Sequence, residues 1–246
     1  MDQQPTQYSL SRTILLSLLP GLGITIIYIA ISPLILAAGL PLLFALMLAA
    51  LLGVLVFELG FLLVQARRSP AGPSLLAVID YKKWVPAWQY VAIPLLFFLW
   101  GVLVTGIAPR LETRLGETAF AWLPGWLAAF DPNRIAEFSR PAILATFMVG
   151  LVVNGLVAPT IEELYFRGHL LARISRYGAW APAINVVLFS LYHFWSPWQF
   201  ASRVVLTLPI AYYAQRKRNV MVPIVCHCSI NIVGWILTFG LVSSLM

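Results

Sequence analysis

The sequence has few charged residues and only two cysteines, and both shortages narrow the class of protein. Asp, Glu, Lys and Arg make up 10% of its 246 residues, whereas hydrophobic residues make up 61% and the mean hydropathy is +0.87. A chain of this composition cannot hide its apolar surface in a core surrounded by water, so a soluble protein is excluded. Two cysteines are also too few for a disulfide framework.

Acidic residues are scarce as well, with 9 Asp and Glu against 16 Lys and Arg. A positive excess can indicate nucleic-acid binding, but that function needs a basic helix or stripe. Here the basic residues are scattered at loop edges. We therefore expect membrane lipids as partners, and no nucleic acid.

Long apolar runs are abundant and predict an all-α fold. We expect a polytopic transmembrane helical bundle that forms one integral membrane domain over residues 1–246. Seven stretches are long enough to cross the membrane, at 13–36, 41–65, 90–108, 141–168, 179–196, 199–215 and 220–245. The Trp-containing segments 74–90 and 117–130 are predicted to be interfacial and amphipathic, and either could be an eighth span.

The distribution of basic residues predicts the orientation of these spans. In a seven-span arrangement most Lys and Arg residues lie on one side, namely Arg12, Arg67, Arg68, Lys82, Lys83, Arg173, Arg176, Arg216, Lys217 and Arg218. Loops rich in Lys and Arg stay in the cytoplasm. We therefore expect a multi-pass protein of the cell membrane with a cytoplasmic N-terminus.

Three charged residues lie close together in the fourth apolar stretch. On an α-helix Glu163 and Arg167 are four positions apart, so the guanidinium can compensate that carboxylate. Glu162 points about 100° away and is left free to face another group. Because charged groups are expensive in hydrocarbon, we expect all three to be satisfied within a buried site.

A histidine, His193, ends the fifth apolar stretch, four positions after Phe189. We expect the chain to turn at Tyr177 and Gly178. Glu162 precedes this turn by fifteen residues, and His193 follows it by the same number. At about 1.5 Å per residue both lie roughly 22 Å from the turn, so an antiparallel hairpin brings them to one depth. This match predicts a shared site.

The last apolar stretch carries His227 and Asn231 on one helical face. Their side chains can donate two hydrogen bonds to a single oxygen, the arrangement that stabilises an oxyanion. A packing contact between membrane helices is the alternative. Cys226 and Cys228 flank His227 but point about 200° apart, so we expect two small buried residues and no thiolate metal site.

Taken in order, these motifs resemble the CPBP family of intramembrane proteases, which includes the CAAX prenyl endopeptidases and the Abi-type bacterial proteins. That family is marked by Glu-Glu-x-x-x-Arg, then Phe-x-x-x-His, then His-x-x-x-Asn or Asp. The resemblance covers roughly residues 141–235, which would form the catalytic core. It implies an intramembrane endopeptidase, favours a bacterial inner membrane, and suggests prenylated CAAX-type or leader peptides as substrates.

The resemblance also implies roles for individual residues. Glu162 would be the general base that activates water, assisted by His193, while His227 and Asn231 would stabilise the tetrahedral oxyanion. The other motif residues would be an ion pair and a packing residue: Glu163, Arg167 and Phe189.

Zinc is the alternative to this mechanism, because Glu162, His193 and His227 could bind Zn²⁺ with an open position for water. We favour a metal-free reaction without a cofactor. Asn231 beside His227 is better explained as an oxyanion pair, and the sequence has no His-Glu-x-x-His helix.

Two other classes of function remain at this stage. One is a catalytically silent relative that acts as a membrane immunity or scaffold protein. The other is a small proton-coupled carrier that uses Glu58, although no internal repeat supports it. As an isolated carboxyl, Glu58 is expected to snorkel or to form a hydrogen bond. Arg203 is expected to anchor a helix at the interface, and His169 to be an ordinary polar residue.

Overall fold

The computed structural model describes residues 5–124 and 129–246, and within them it contains helices and no strand. The all-α prediction is therefore confirmed. Part of the predicted interfacial segment 117–130, residues 125–128, lies outside the described residues. The described helices are α1 Leu10–Ala37, α2 Leu42–Arg67, α3 Gln89–Glu117, α4 Pro132–Ala136, α5 Arg140–Tyr177, α6 Trp180–Tyr192, α7 Phe200–Lys217 and α8 Met221–Ser244.

All seven predicted apolar stretches are helical over most of their length, but they differ in their capacity to cross a membrane. Among the described residues, α1, α2, α3, α5 and α8 are long and apolar enough to do so. Helix α6 has only 13 residues. Helix α7 has 18 residues but includes Arg203 and ends in Gln215, Arg216 and Lys217. The chain is a multi-pass membrane protein, and the number of seven spans stays a prediction.

The interfacial segment before α3 is not an eighth span. It contains one short 3₁₀ turn, Leu75–Ala77, and is otherwise irregular. Its tryptophans are open to the surroundings, with Trp84 92% exposed and Trp88 62% exposed. Large amphipathic rings in this state are typical of the boundary between lipid and water.

Helix α5 is regular at its start and becomes wider where it carries the first motif. It has π-helical turns at Val153–Val157 and at Glu163–Leu170, and it ends in a 3₁₀ segment, Leu171–Tyr177. Pro159 lacks an N–H group, and its ring would clash with the carbonyl of Gly155 in a regular α-helix, so the first wide turn relieves this conflict. The second changes the α-helical spacing that the sequence predicted for the charged residues.

The end of the molecule that carries most basic residues is held together by contacts between distant segments. The backbone N–H of Tyr8 donates to the carbonyl of Arg173, and Arg173 forms an ion pair with Asp80. Burial raises the pKa of the Asp80 carboxyl, and the Arg173 guanidinium opposes that shift. Farther along, the backbone N–H of Lys83 donates to the carbonyl of Arg218. These contacts bring the basic loops to one end of the bundle.

His169, which was expected to be an ordinary polar residue, belongs to this end and has a structural position. It is fully buried, its Nδ1 lies 2.9 Å from the carbonyl of Val78, and its Nε2 lies 3.1 Å from the hydroxyl of Tyr8. A carbonyl can only accept, so Nδ1 donates and the tyrosine hydroxyl donates to Nε2. Both ring nitrogens are thus satisfied, and the residue joins the N-terminal segment to α5.

A close backbone approach holds α1 against the end of α6. A Cβ atom built on Gly21 would lie 1.9 Å from the carbonyl oxygen of Tyr192. That oxygen belongs to the backbone just before His193, so it cannot move away as a flexible side chain could. A glycine is required here because no other residue leaves room for the carbonyl.

We therefore expect Gly21→Ala to destabilise the protein by about 1–3 kcal/mol through overpacking. Gly106→Ala in α3 is the matched control, because its Cβ would meet no atom within 4 Å. Thermal unfolding in the same detergent compares the two variants. Equal unfolding temperatures for Gly21→Ala and Gly106→Ala would contradict the close approach.

Candidate active site

The four residues predicted to be reactive line one cavity of about 230 Å³. Three separate elements contribute them: Glu162 comes from α5, His193 from the residue after α6, and His227 and Asn231 from α8. The rest of the wall is largely apolar and comes from α2, α3, α7 and α8, with Leu46, Met47, Phe97, Leu206, Ile210 and Ile230 among its residues. The cavity therefore places a few polar groups in an apolar enclosure, as is typical of ligand sites.

Of the three predicted supporting residues, Phe189 lines the cavity, whereas Glu163 and Arg167 are buried outside its lining. Arg167 Nη1 lies 3.2 Å from Glu163 Oε1, and both side chains are fully buried. The Arg167 guanidinium also lies over the ring of Phe189, 4.1 Å from the ring centre. The predicted ion pair is therefore present, and the aromatic ring covers its cationic partner.

His227 contacts both neighbouring acids, which the sequence did not predict. Its Nδ1 lies 3.0 Å from Glu163 Oε1, and its Nε2 lies 4.0 Å from Glu162 Oε2. A carboxylate that is paired with Arg167 can only accept, so the hydrogen sits on Nδ1 and is donated to Glu163. Nε2 is consequently the nitrogen that faces Glu162 and the cavity.

His193 is oriented by the residue four positions earlier. Its Nδ1 lies 2.8 Å from the carbonyl oxygen of Phe189, so Nδ1 donates a hydrogen and Nε2 of the neutral ring is an acceptor. Helix α6 ends at Tyr192, and the chain turns away before Pro197, where a helical conformation is disfavoured. The predicted turn between α5 and α6 is present at Gly178, which has a φ of 56°.

Asn231 is held by the first wide turn of α5. Its Nδ2 donates to the carbonyl oxygen of Asn154 at 2.9 Å. An amide nitrogen has two hydrogens, so one is left for a ligand in the cavity. Asn154 itself lines the cavity.

Two further charged residues, Glu58 and Arg203, lie farther inside the bundle than the sequence indicated. Glu58 was expected to snorkel or to form a hydrogen bond; it is fully buried and lies 2.7 Å from the hydroxyl of Tyr192. Snorkelling was wrong because the side chain lies on the inward face of α2. Arg203 was expected at the interface, but it lines the cavity because α7 crosses beside α6.

Arg203 is arranged as a receptor for a negative group. Its Nη2 donates to Ser196 Oγ at 2.9 Å and to Gln199 Oε1 at 3.0 Å. Its Nη1 is buried and has no hydrogen-bond partner among the described residues. A guanidinium held on one side and unpaired on the other can take a carboxylate from a ligand.

The three side chains named for the zinc alternative, Glu162, His193 and His227, all line the cavity. Within residues 5–124 and 129–246, no three His, Cys, Asp or Glu side chains are placed so that they could hold one metal ion. Nδ1 of His193 and Nδ1 of His227 are used in hydrogen bonds, and only the two Nε2 atoms point to the cavity.

Comparison with known protein families agrees with the motifs. A family model described as type II CAAX prenyl endopeptidase Rce1-like matches residues 144–233. This segment of the chain is therefore similar to the CAAX prenyl endopeptidases. The matched segment contains all three motifs and the four polar residues of the cavity, whereas Glu58 lies outside it. Neither the curated proteins nor the solved structures include a match to the chain. The matched family is one of endopeptidases, and the match covers less than half of the chain.

Proposed function

We propose that this protein is an intramembrane endopeptidase of the glutamate type and a member of the family that its residues 144–233 match. One observation carries the proposal: Glu162, His193, His227 and Asn231 come from three distant elements of the chain and line a single cavity. An arrangement with a base, a second acceptor and two donors has the parts needed to hydrolyse a peptide bond.

In this mechanism Glu162 and His193 act on one water molecule. The water donates one hydrogen to a carboxylate oxygen of Glu162 and the other to Nε2 of His193. Glu162 takes a proton as the water oxygen attacks the peptide carbonyl carbon, and the carbonyl oxygen becomes the oxyanion. Glu162 then passes that proton to the leaving nitrogen as the carbon–nitrogen bond breaks, which restores the carboxylate.

The oxyanion is stabilised by His227 and Asn231. Asn231 supplies the amide hydrogen that Asn154 does not use. His227 donates from Nε2 when its ring is protonated, and the resulting positive charge is compensated by Glu163, which accepts from Nδ1. Donors fixed in a site that excludes bulk water stabilise such a charge strongly.

The apolar wall and Arg203 favour a peptide substrate whose carboxyl end lies near the bond to be cleaved. Apolar side chains of a peptide would pack in the enclosure, and its free carboxylate would pair with the unpartnered nitrogen of Arg203. This favours a CAAX-type carboxyl-terminal peptide over a leader peptide, which is cleaved far from its carboxyl end.

We expect Arg203→Gln to lower kcat/KM for a peptide with a free carboxylate by about 10- to 100-fold. This is the effect of losing charge-assisted hydrogen bonds between the guanidinium and the carboxylate. The same peptide with a carboxyl-terminal amide should be cut slowly and equally by both proteins. Arg140→Gln, an exposed arginine at the start of α5, is the control. Equal losses for the acid and amide peptides would remove Arg203 from carboxylate recognition.

The metal-free mechanism has its own test. We expect the purified protein to keep its activity after treatment with a membrane-permeant chelator, because every step above is assigned to a side chain. Activity that disappears with the chelator and returns with Zn²⁺ would establish the zinc alternative.

Comparative peptidomics tests the function as a whole. Membranes from cells that carry the intact chain are compared with membranes that carry Glu162→Gln at equal abundance. We expect a set of shortened peptides that depends on Glu162, and their new ends identify the substrate. Identical peptide sets in the presence of a phenotype would favour the silent immunity or scaffold protein instead.

A further inference from the structure

Glu58, Tyr192 and Glu162 come from three helices and place three buried oxygen atoms in a row, with the Tyr192 hydroxyl in the middle. The hydroxyl of Tyr192, at the end of α6, lies 2.7 Å from Glu58 Oε1 on one side and 3.5 Å from Glu162 Oε1 on the other. All three residues are buried. Glu58 comes from a π-helical turn of α2, Val54–Leu59, and lies outside the segment that matches the protease family.

The Tyr192 hydroxyl has one hydrogen for its two contacts. Its contact with Glu58 has the usual length of a hydrogen bond, whereas its contact with Glu162 is long. If both carboxyl groups were ionised, this one hydrogen would have to serve two buried negative charges, which is costly. A proton on one of the two carboxyl groups removes this cost.

The surroundings indicate which carboxyl is protonated. Glu58 is fully buried, and its Oε2 has no hydrogen-bond partner among the described residues. No ion pair of Glu58 with a cation is present within the part of the chain that the structure describes, and Arg167 is already paired with Glu163. An unpaired buried carboxylate is costly. Glu162 instead opens onto the cavity beside His227.

We propose that Glu58 is a neutral carboxylic acid that donates its proton to Tyr192, so that Tyr192 donates its own to Glu162 Oε1. The Tyr192 hydrogen bond then fixes one oxygen of Glu162 and leaves Oε2 directed at His227 and the cavity. Glu58 is a positioning residue that acts through Tyr192. Its effect on catalysis rests on the proposed function, in which Glu162 is the base, but its protonation does not.

Infrared spectroscopy tests the protonation without any need for activity. At neutral pH and without substrate, we expect the intact protein to show the stretching band of a protonated carboxylic acid that disappears in Glu58→Gln. The band should persist in Glu117→Gln, whose carboxyl is exposed at the end of α3. Spectra of the intact protein and Glu58→Gln that are identical in this region would overturn the proposal, whether or not the enzyme cleaves peptides.

Kinetics test the positioning role. Glutamine can donate to Tyr192 as a protonated acid does, so Glu58→Gln should keep kcat within about threefold of the intact protein. Glu58→Leu and Tyr192→Phe should lower kcat by about 10- to 100-fold with little change in KM. Tyr192→Phe removes the hydrogen bond to the base, and Glu58→Leu removes the hydrogen bond that orients Tyr192. A Glu58→Gln variant as slow as Tyr192→Phe would show that an ionised Glu58 is needed and would refute the proposal.

Discussion

We expect Glu162→Gln to lower kcat for peptide cleavage by about 10²- to 10⁴-fold, the contribution that a positioned general base supplies. Glutamine has nearly the same shape as glutamate but cannot take a proton from water. The side chain is almost buried, so its replacement by a neutral group should not destabilise the fold. The rate is measured on purified protein in lipid vesicles, with the substrate that peptidomics identifies.

Glu117→Gln is the control for this comparison, because Glu117 is exposed and far along α3 from the motifs. It makes the same change of charge and should keep the full rate. If Glu162→Gln cleaved as fast as Glu117→Gln, Glu162 would not be the base. A loss of thermal stability in Glu162→Gln alone would assign it a structural role instead.

The second large effect on kcat is expected from the loss of Asn231, which donates to the oxyanion in the proposed mechanism. Asn231→Leu preserves the approximate size of the side chain but removes the amide hydrogen that faces the cavity. We expect kcat to fall by about 10²- to 10³-fold while KM changes little, since the lost interaction forms only in the transition state. Steady-state kinetics separate the two quantities.

Thr238→Val is a suitable control for Asn231→Leu. Thr238 lies on the same helix, and its hydroxyl donates a hydrogen bond of 2.8 Å to the carbonyl oxygen of Gly234 within α8. Its replacement also removes a polar group from the helix but touches no residue of the cavity. If Asn231→Leu raised KM and kept kcat, the residue would bind substrate and not stabilise an oxyanion.

The sequence was sufficient to predict the all-α class and the approximate helices. A helix that crosses the hydrocarbon core of a membrane needs a long run of apolar residues. Such runs are visible in the sequence, so they indicate the all-α class directly. The boundaries were less accurate. Helix α3 continues to Glu117 instead of ending at residue 108, and α6 ends at Tyr192 instead of residue 196. Apolar composition does not show where a helix ends, because the end depends on local turns such as the one before Pro197.

The residues of the cavity could be predicted because each motif is short and unusual in an apolar span. Their mutual contacts could not. The bond from His227 to Glu163 joins α8 to α5, and it depends on how wide turns in α5 rotate the acids. Helical periodicity assumes a regular α-helix, so it cannot anticipate a π-helical turn or its effect on neighbouring side chains.

The positions of Glu58 and Arg203 could not be predicted from the sequence either. Each is a single charged residue without a local partner in sequence, and such residues are usually anchors at the membrane surface. Their partners, Tyr192 and the cavity, come from other helices. Only the packing of α2 against α5 and of α7 against α6 reveals that both side chains face inward.

Single-turnover rates of a double variant test most directly whether Glu162 and His193 act on one water molecule, as we propose. Groups that work as a unit give effects that do not multiply. We expect the protein with both Glu162→Gln and His193→Ala to be about as slow as the slower of the two single variants. Losses that multiply in full would contradict this proposal, because they would show that the two residues act on separate steps.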